Sequence, residues 1–219
     1  MGLNISKGNM YEWVTHTWNA IKGKCFHDCS YCYVKRWGEL NPVRFDGKEL
    51  DTDLGTGNFI FVGSSCDMFA EGIPGDWIVK TLNHCMKYDG NSYLFQSKNP
   101  GRMDLIPEHC HICTTIETNR DYPDIMRDAP NVWDRAFDMS LLDHGSKFIT
   151  IEPVMDFDLT DLVLMIKAVF PKQVNIGADS GGNGLPEPSQ EKILNLIHEL
   201  SKFTTVKKKK NLNRLITNN

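Results

Sequence analysis

Cys25-Phe26-His27-Asp28-Cys29-Ser30-Tyr31-Cys32 places three thiols in one short stretch, directly after the run Thr15-His16-Thr17-Trp18-Asn19-Ala20-Ile21. The run reads as a β-strand and the stretch as the loop that leaves its carboxyl end, where the functional groups of βα units gather. The spacing Cys-x3-Cys-x2-Cys suits a 4Fe-4S cluster: Cys25, Cys29 and Cys32 would hold three irons, leaving the fourth open to the amine and carboxylate of a small molecule. Zinc is the alternative reading, with His27 as a fourth ligand. Structural zinc sites, however, usually join two separated ligand pairs, and a single loop staples nothing.

Working outward, five more short β-branched or apolar runs follow: Asn58 to Val62, Ser92 to Ser97, His111 to Glu117, Phe148 to Glu152 and Gln173 to Gly177. Helical stripes separate them. Ile78, Leu82, Cys85 and Met86 form one, Val132, Ala136 and Met139 a second, and Leu159, Leu162, Val163, Ile166 and Phe170 a third. Ile193, Ile197, Leu200 and Phe203 line the last, with Ser189 as its N-cap. Six βα units joined by right-handed crossovers predict an α/β fold, a partial (βα)6 TIM-type barrel open on one side. Gly38 to Gly57, rich in turn residues, is expected as a long loop over the barrel mouth.

The chain has 219 residues, 41% hydrophobic and 24% charged, with a net charge of −4. Such a composition suits one domain, expected over residues 1–206. Lys207, Lys208, Lys209, Lys210 and Arg214 fall together near the end with no acid among them, so residues 207–219 are expected to form a basic, disordered tail. The remainder is correspondingly acidic, which argues against a large duplex-binding face. Seven cysteines, three in one loop, do not read as a disulfide framework and imply a reducing compartment. No apolar run reaches the ~20 residues of a membrane span, and Met1 to Lys7 lacks the apolar core of a secretory signal. A cytoplasmic location without membrane association is expected.

The cysteine spacing, with an aromatic residue directly before the last thiol, resembles the signature of the radical S-adenosylmethionine (SAM) superfamily. That resemblance implies a 4Fe-4S cluster and SAM as cofactors, reductive cleavage of SAM to a 5'-deoxyadenosyl radical, and a reductant such as flavodoxin or ferredoxin. It further implies that Tyr31 packs against adenine and that Gly63-Ser64-Ser65 stands where relatives bind the SAM amine, usually with Gly-Gly-Glu. Lys98 is similar to a lysine of the spore photoproduct lyase branch and would meet the SAM carboxylate. Glu117 and Arg120 fall where ribose hydroxyls and the methionine carboxylate are held. Cys66 would return a hydrogen atom to a substrate radical. Glu152 ends an apolar strand, where an unpaired carboxylate is costly, so it is expected to serve the site.

The chain is also similar to an uncharacterised phage-associated family of small three-cysteine proteins. Trp18-Asn19, Asp67-Met68-Phe69, the segment from Lys98 to Arg102, Ile151-Glu152-Pro153 with Asp156, and the turn from Gly177 to Gly181 carry that likeness, over roughly residues 17 to 185. With the lyase-like Lys98 segment, it points to a nucleobase, nucleotide or nucleic acid substrate. A peptide or protein target, or a non-catalytic iron-sulfur module, are the alternatives. Cys66 and Cys110 lie at opposite ends of the strands and cannot share a second cluster, while Cys113, inside a strand, and Cys85, on its helix stripe, are expected in the core. The loop Asp179-Ser180-Gly181-Gly182-Asn183-Gly184 would offer backbone amides to an anion or serve as a plain crossover.

Overall fold

Seven parallel strands bring their carboxyl ends to one edge, and the chemistry of the chain is concentrated there. The structure is a computed structural model that describes residues 2–217. The strands are β1 (Asn4–Ile5), β2 (His16–Trp18), β3 (Ile21–Lys22), β4 (Arg44–Phe45), β5 (Phe59–Val62), β6 (Ser92–Ser97), β7 (His111–Thr115), β8 (Lys147–Ile151), β9 (Gln173–Ile176) and β10 (Thr205–Lys208). The main sheet has the order β1-β2-β5-β6-β7-β8-β9-β10, antiparallel only between β1 and β2. It forms the partial barrel expected from the repeating βα units, with six strands in their expected places and one more at the end.

The helices are α1 (Gly75–Met86), α2 (Pro123–Met126), α3 (Val132–Leu141), α4 (Leu159–Val169), α5 (Gln190–Leu200) and α6 (Asn213–Ile216). α3 packs on α4 and α4 on α5, and their apolar faces share one core with alternate strand residues such as Phe95, Ile112, Ile149 and Val174. Ser189 caps α5 as expected, its hydroxyl accepting from the Lys192 N–H at 3.3 Å. On the other face of the sheet, Leu94, Cys113 and Phe148 are covered by Tyr11 and Val14, with Trp13, Phe59 and Phe61 packed around them. The segment after β1 therefore fills the concave face that an open barrel would leave wet.

Two expectations change. The first strand is short, because the chain bends at Asn19, whose side chain takes the Ser65 N–H (3.0 Å) and the Ser64 hydroxyl (3.2 Å). Ile21 and Lys22 instead pair with Arg44 and Phe45, so part of the stretch from Gly38 to Gly57 is an antiparallel ribbon rather than a loop. Gly23, at φ +112°, is required where the ribbon crosses the chain, since a Cβ there would lie 2.5 Å from the Pro42 carbonyl oxygen.

The basic tail is not disordered over its described part. Thr205 to Lys208 pair in register with Gln173 to Ile176, and Leu212 is fully buried. Val206 packs against the core while Lys207 and Lys208, on opposite faces of the outermost strand, stay exposed, and lysines suit an edge strand because they discourage pairing with another chain. Asn218 and Asn219 lie outside the described residues. Leu212→Ala is expected to cost about 2–5 kcal/mol in urea denaturation. Lys207→Ala should change stability by no more than about 0.5 kcal/mol.

Candidate functional site

The residues that follow each parallel strand are Asn19, Gly63, Lys98, Ile116-Glu117, Glu152, Gly177 and Lys209. A cavity of about 440 Å³ opens among them, within the ordinary range for small-molecule sites. Cys25, Cys29 and Cys32 line it together with Tyr31, Gly63, Ser64, Ser65, Cys66, Lys98 and Glu152. All three loop cysteines are free thiols, Cys29 buried and the other two half-buried.

The loop is shaped by a left-handed residue and by one acid. Asp28 adopts φ +46°, a conformation Asp tolerates better than most residues, and turns the chain between Cys25 and Cys29. Its carboxylate pairs with Lys35 (2.7 Å) and Arg127 (2.8 Å). Turn bonds run from Asp28 N–H to the Cys25 carbonyl (3.3 Å) and from Cys32 N–H to the Cys29 carbonyl (3.2 Å). Phe26 lies flat on Gly72, where a Cβ would stand 2.6 Å from the ring. Ser30 N–H reaches the Ile125 carbonyl (2.9 Å), docking the loop on α2.

Asp67, which the sequence marks only through the likeness of Asp67-Met68-Phe69 to the phage-associated family, is the anchor of the loop. Its buried carboxylate bonds His27 Nε2 (2.8 Å), the Ser97 hydroxyl (2.8 and 3.0 Å), and the N–H groups of Lys98 (2.8 Å) and Phe69 (3.0 Å). Burial alone would raise the Asp67 pKa, but the His27 bond and the other donors hold it below the usual carboxylate value. His27 is thereby committed to Asp67. That bond uses Nε2 alone, and among the described residues no group of three or more His, Cys, Asp or Glu side chains is placed to hold a single metal ion.

One wall of the cavity is cationic. Lys98 Nζ lies 3.5 Å from Cys29 Sγ, 4.8 Å from the centre of the Tyr31 ring and 3.4 Å from Glu117 Oε1. Tyr31 donates its hydroxyl to Glu117 Oε1, and Arg135 Nη1 bonds Glu117 Oε2 at 2.8 Å. Glu117 and Arg135 both have fully buried side chains. Burial would raise the Glu117 pKa, yet Arg135 and Lys98 keep it below the ordinary value, so Glu117 is a buried anion rather than a group facing the cavity. Arg135 was not found in the sequence. It lies on α3 between Asp134 and Ala136, where it reads as one more surface cation.

The remaining residues divide. The Cys66 thiol donates to the Asp67 carbonyl at 3.9 Å, and its proximity to Cys25 lowers the Cys25 pKa to about 6 and raises that of Cys66. The Ser64 carbonyl accepts from the Tyr33 hydroxyl, while the Ser65 hydroxyl is buried at the cavity wall with no partner. Glu152 accepts from Asn9 (2.6 Å) and Asn211 (2.9 Å) and pairs with Lys209. Arg120 is turned away. Asp158 holds its guanidinium at 2.9 and 2.7 Å, Asp156 takes its other edge, and it does not line the cavity. The glycine-rich loop offers no anion cradle either, since Asp179 takes the N–H groups of Gly181 (2.8 Å) and Asn183 (2.5 Å).

No family model matches the chain, and no curated protein matches it in sequence. In shape it is similar to a cysteine-to-serine variant of spore photoproduct lyase, with a TM-score of 0.64 at 8% identity, over 93% of this chain and 79% of that one. The fold is shared with that lyase. Spore photoproduct lyase complexed with a dinucleoside spore photoproduct aligns with a TM-score of 0.57 at 8% identity, over 91% of this chain and 64% of the lyase. A double variant with bound AdoMet and the same dinucleoside gives 0.53 at 9% identity, over 90% and 64%. The chain thus spans somewhat under two thirds of the lyase in the two complexes. No helix among the described residues is long and apolar enough to cross a membrane.

Asp67→Ala strips the partner from His27 and the donors of two loops together. Breaking a buried charged cluster on one side costs about 3–5 kcal/mol, to be read by urea denaturation of the metal-free protein. Asp158→Ala, on the exposed Arg120 pair, should cost under about 1 kcal/mol by the same measurement.

Proposed function

We propose that the protein is a radical SAM enzyme, and the observation that carries this reading is the placing of three free cysteines on the wall of one cavity beside the half-buried Lys98 ammonium, on a fold shared with spore photoproduct lyase. The residues fit the cofactors. A cubane needs several thiolates set apart around it, which a loop with Cys25, Cys29 and Cys32 supplies, and the unpartnered Ser65 hydroxyl offers a bond to the SAM amine. When bound, a 4Fe-4S cluster supplies one electron for cleavage of SAM to methionine and a 5'-deoxyadenosyl radical, which takes a hydrogen atom from the substrate.

In this reading Lys98 offers its charge to the SAM carboxylate, and the Gly63 and Ser64 carbonyls face the amine. Ser64 keeps a second lone pair although Tyr33 uses the first. Tyr31 lends its ring face to adenine, and Glu117 acts through Lys98 and Tyr31 rather than by touching ribose. Cys66 is proposed as hydrogen donor to the substrate radical. The substrate is proposed to be a nucleobase, nucleotide or nucleic acid. Two observations support this: the lyase of the same fold is complexed with a dinucleoside, and Lys7, Lys24, Lys35 and Arg36 line the cavity of a chain with a net charge of −4. A small electron-transfer protein such as flavodoxin or ferredoxin is proposed as reductant.

Anaerobic reconstitution with iron and sulfide is expected to give about four irons and four sulfides per chain. Dithionite and SAM should then yield 5'-deoxyadenosine even without substrate. Cys29→Ala should abolish the product, whereas Cys66→Ala should leave it unchanged. Iron-free protein after reconstitution, or a cluster that leaves SAM intact, would refute the reading.

A further inference from the structure

Arg135 has no side-chain surface in contact with solvent, and its guanidinium is spent entirely on holding other groups. Nε donates to the Pro130 carbonyl at 2.7 Å, Nη1 to the Thr115 carbonyl at 3.1 Å and to Glu117 Oε2 at 2.8 Å. Glu117 presents its other oxygen, Oε1, to the Tyr31 hydroxyl and to Lys98 Nζ. Lys98 Nζ touches Cys29 Sγ and the face of Tyr31. One chain of charges therefore runs from α3, through the end of β7, to the cysteine loop: cation, anion, cation, sulfur.

The ordering has a physical consequence. Lysine carries four rotatable side-chain bonds and is a mobile point charge unless something fixes it. Glu117 alone would be a poor anchor, because a buried carboxylate without compensation takes up a proton and loses its hold on an ammonium. Arg135 supplies that compensation on the oxygen that Lys98 does not use. The bond to the Thr115 carbonyl and the one to Pro130 fix the guanidinium itself, so the carboxylate plane is set from behind.

We propose that Arg135 is a positioning residue for the cofactor site: through Glu117 it fixes the Lys98 ammonium and the Tyr31 ring beside Cys29, in the place where the carboxylate and adenine of SAM would be received. This rests on the function proposed above. It assigns Glu117 and Arg135 a joint role without contact to the ligand. Loss of the relay should weaken SAM binding much as loss of Lys98 does.

The test is the dissociation constant of SAM and of S-adenosylhomocysteine, measured by anaerobic titration calorimetry on reconstituted protein, beside the melting temperature of the metal-free protein. Lys98→Met is expected to weaken both ligands about tenfold, the scale of one charge-assisted bond. Arg135→Met, and the charge-balanced pair Glu117→Gln with Arg135→Met, should weaken them by a similar factor. Arg135→Lys, which keeps the charge but not the fork, should fall between. If Arg135→Met fails to fold, the charge-balanced pair and Arg135→Lys decide the matter. A merely structural arginine would lower the melting temperature and leave both constants of the folded protein unchanged, which would overturn the proposal. In the metal-free protein, the melting shifts of Lys98→Met and Arg135→Lys should be clearly non-additive; strict additivity would also overturn it. Wild-type protein that takes up cluster but neither ligand would overturn the function on which this rests, a result visible before any variant is made.

Discussion

A carboxylate carried to the end of a parallel strand cannot stay there as a bare charge, and this constraint organises the site. Asp67, Glu117 and Glu152 stand at the ends of β5, β7 and β8 or just beyond them, and each is matched by a different set of donors. Asp67 takes a histidine, a hydroxyl and two backbone N–H groups. Glu117 takes a guanidinium, an ammonium and a phenol. Glu152 takes an ammonium and two amides. Because the donors come from segments far apart in sequence, satisfying each acid fixes the position of another loop.

The cysteine loop is the clearest case. Left to itself, a short stretch with Ser30, Asp28 and a half-exposed Phe26 would have many conformations of similar energy. His27 ties it to Asp67, Asp28 ties it to Lys35 and Arg127, and Lys98 approaches Cys29 from a position that Glu117 sets. Two acids, each satisfied by protein donors, thus decide where the thiols and the ammonium lie. Glu152 does the same on the far wall, where Gly177 leaves the space its carboxylate occupies: a Cβ there would lie 2.5 Å from Oε1. Asn9 from the amino-terminal segment and Lys209 from the carboxyl-terminal one converge on that single acid, so both ends of the described chain become part of the cavity wall.

Much of this was legible in the sequence because strands buried on both faces announce themselves. Ser92 to Ser97 matched to the residue, and Asn58 to Val62, His111 to Glu117, Phe148 to Glu152 and Gln173 to Gly177 were each off by no more than two residues at an end. The thiol spacing and the rim position of Lys98 and Glu152 could be read for the same reason: the residue after a parallel strand has only one place to go. What could not be read was partnership. Arg135 carries no local sign of burial, since its acid lies eighteen residues earlier on another element. Arg120 sits beside Asn119 at the rim and looks just as available, yet Asp156 and Asp158, also remote in sequence, remove it. Choosing between two arginines of equal local context is a tertiary question.

The basic tail shows the opposite failure, in which a local rule was applied where a tertiary contact governs. Four consecutive lysines repel one another and read as solvated chain, but pairing with β9 makes this segment the edge strand of the sheet. Lys207 and Lys208 stay in water at the sheet edge, whereas Lys209, one step past β10, turns over the Tyr11 ring at 4.6 Å and onto Glu152. The like-charge cost is thus borne mainly in solvent, where screening makes it small, while the one lysine that is withdrawn meets a carboxylate and an aromatic face. Elsewhere on the cavity wall the cations are unequal. Lys35 is already paired with Asp28, but Lys7 and Arg36 have no ion pair among the described residues, and the Arg36 guanidinium lies against Gly181 across the opening. Two cations without an ion pair thus stand on the wall of the cysteine cavity in a chain whose net charge is −4, a local contrast in charge that the overall composition does not reveal.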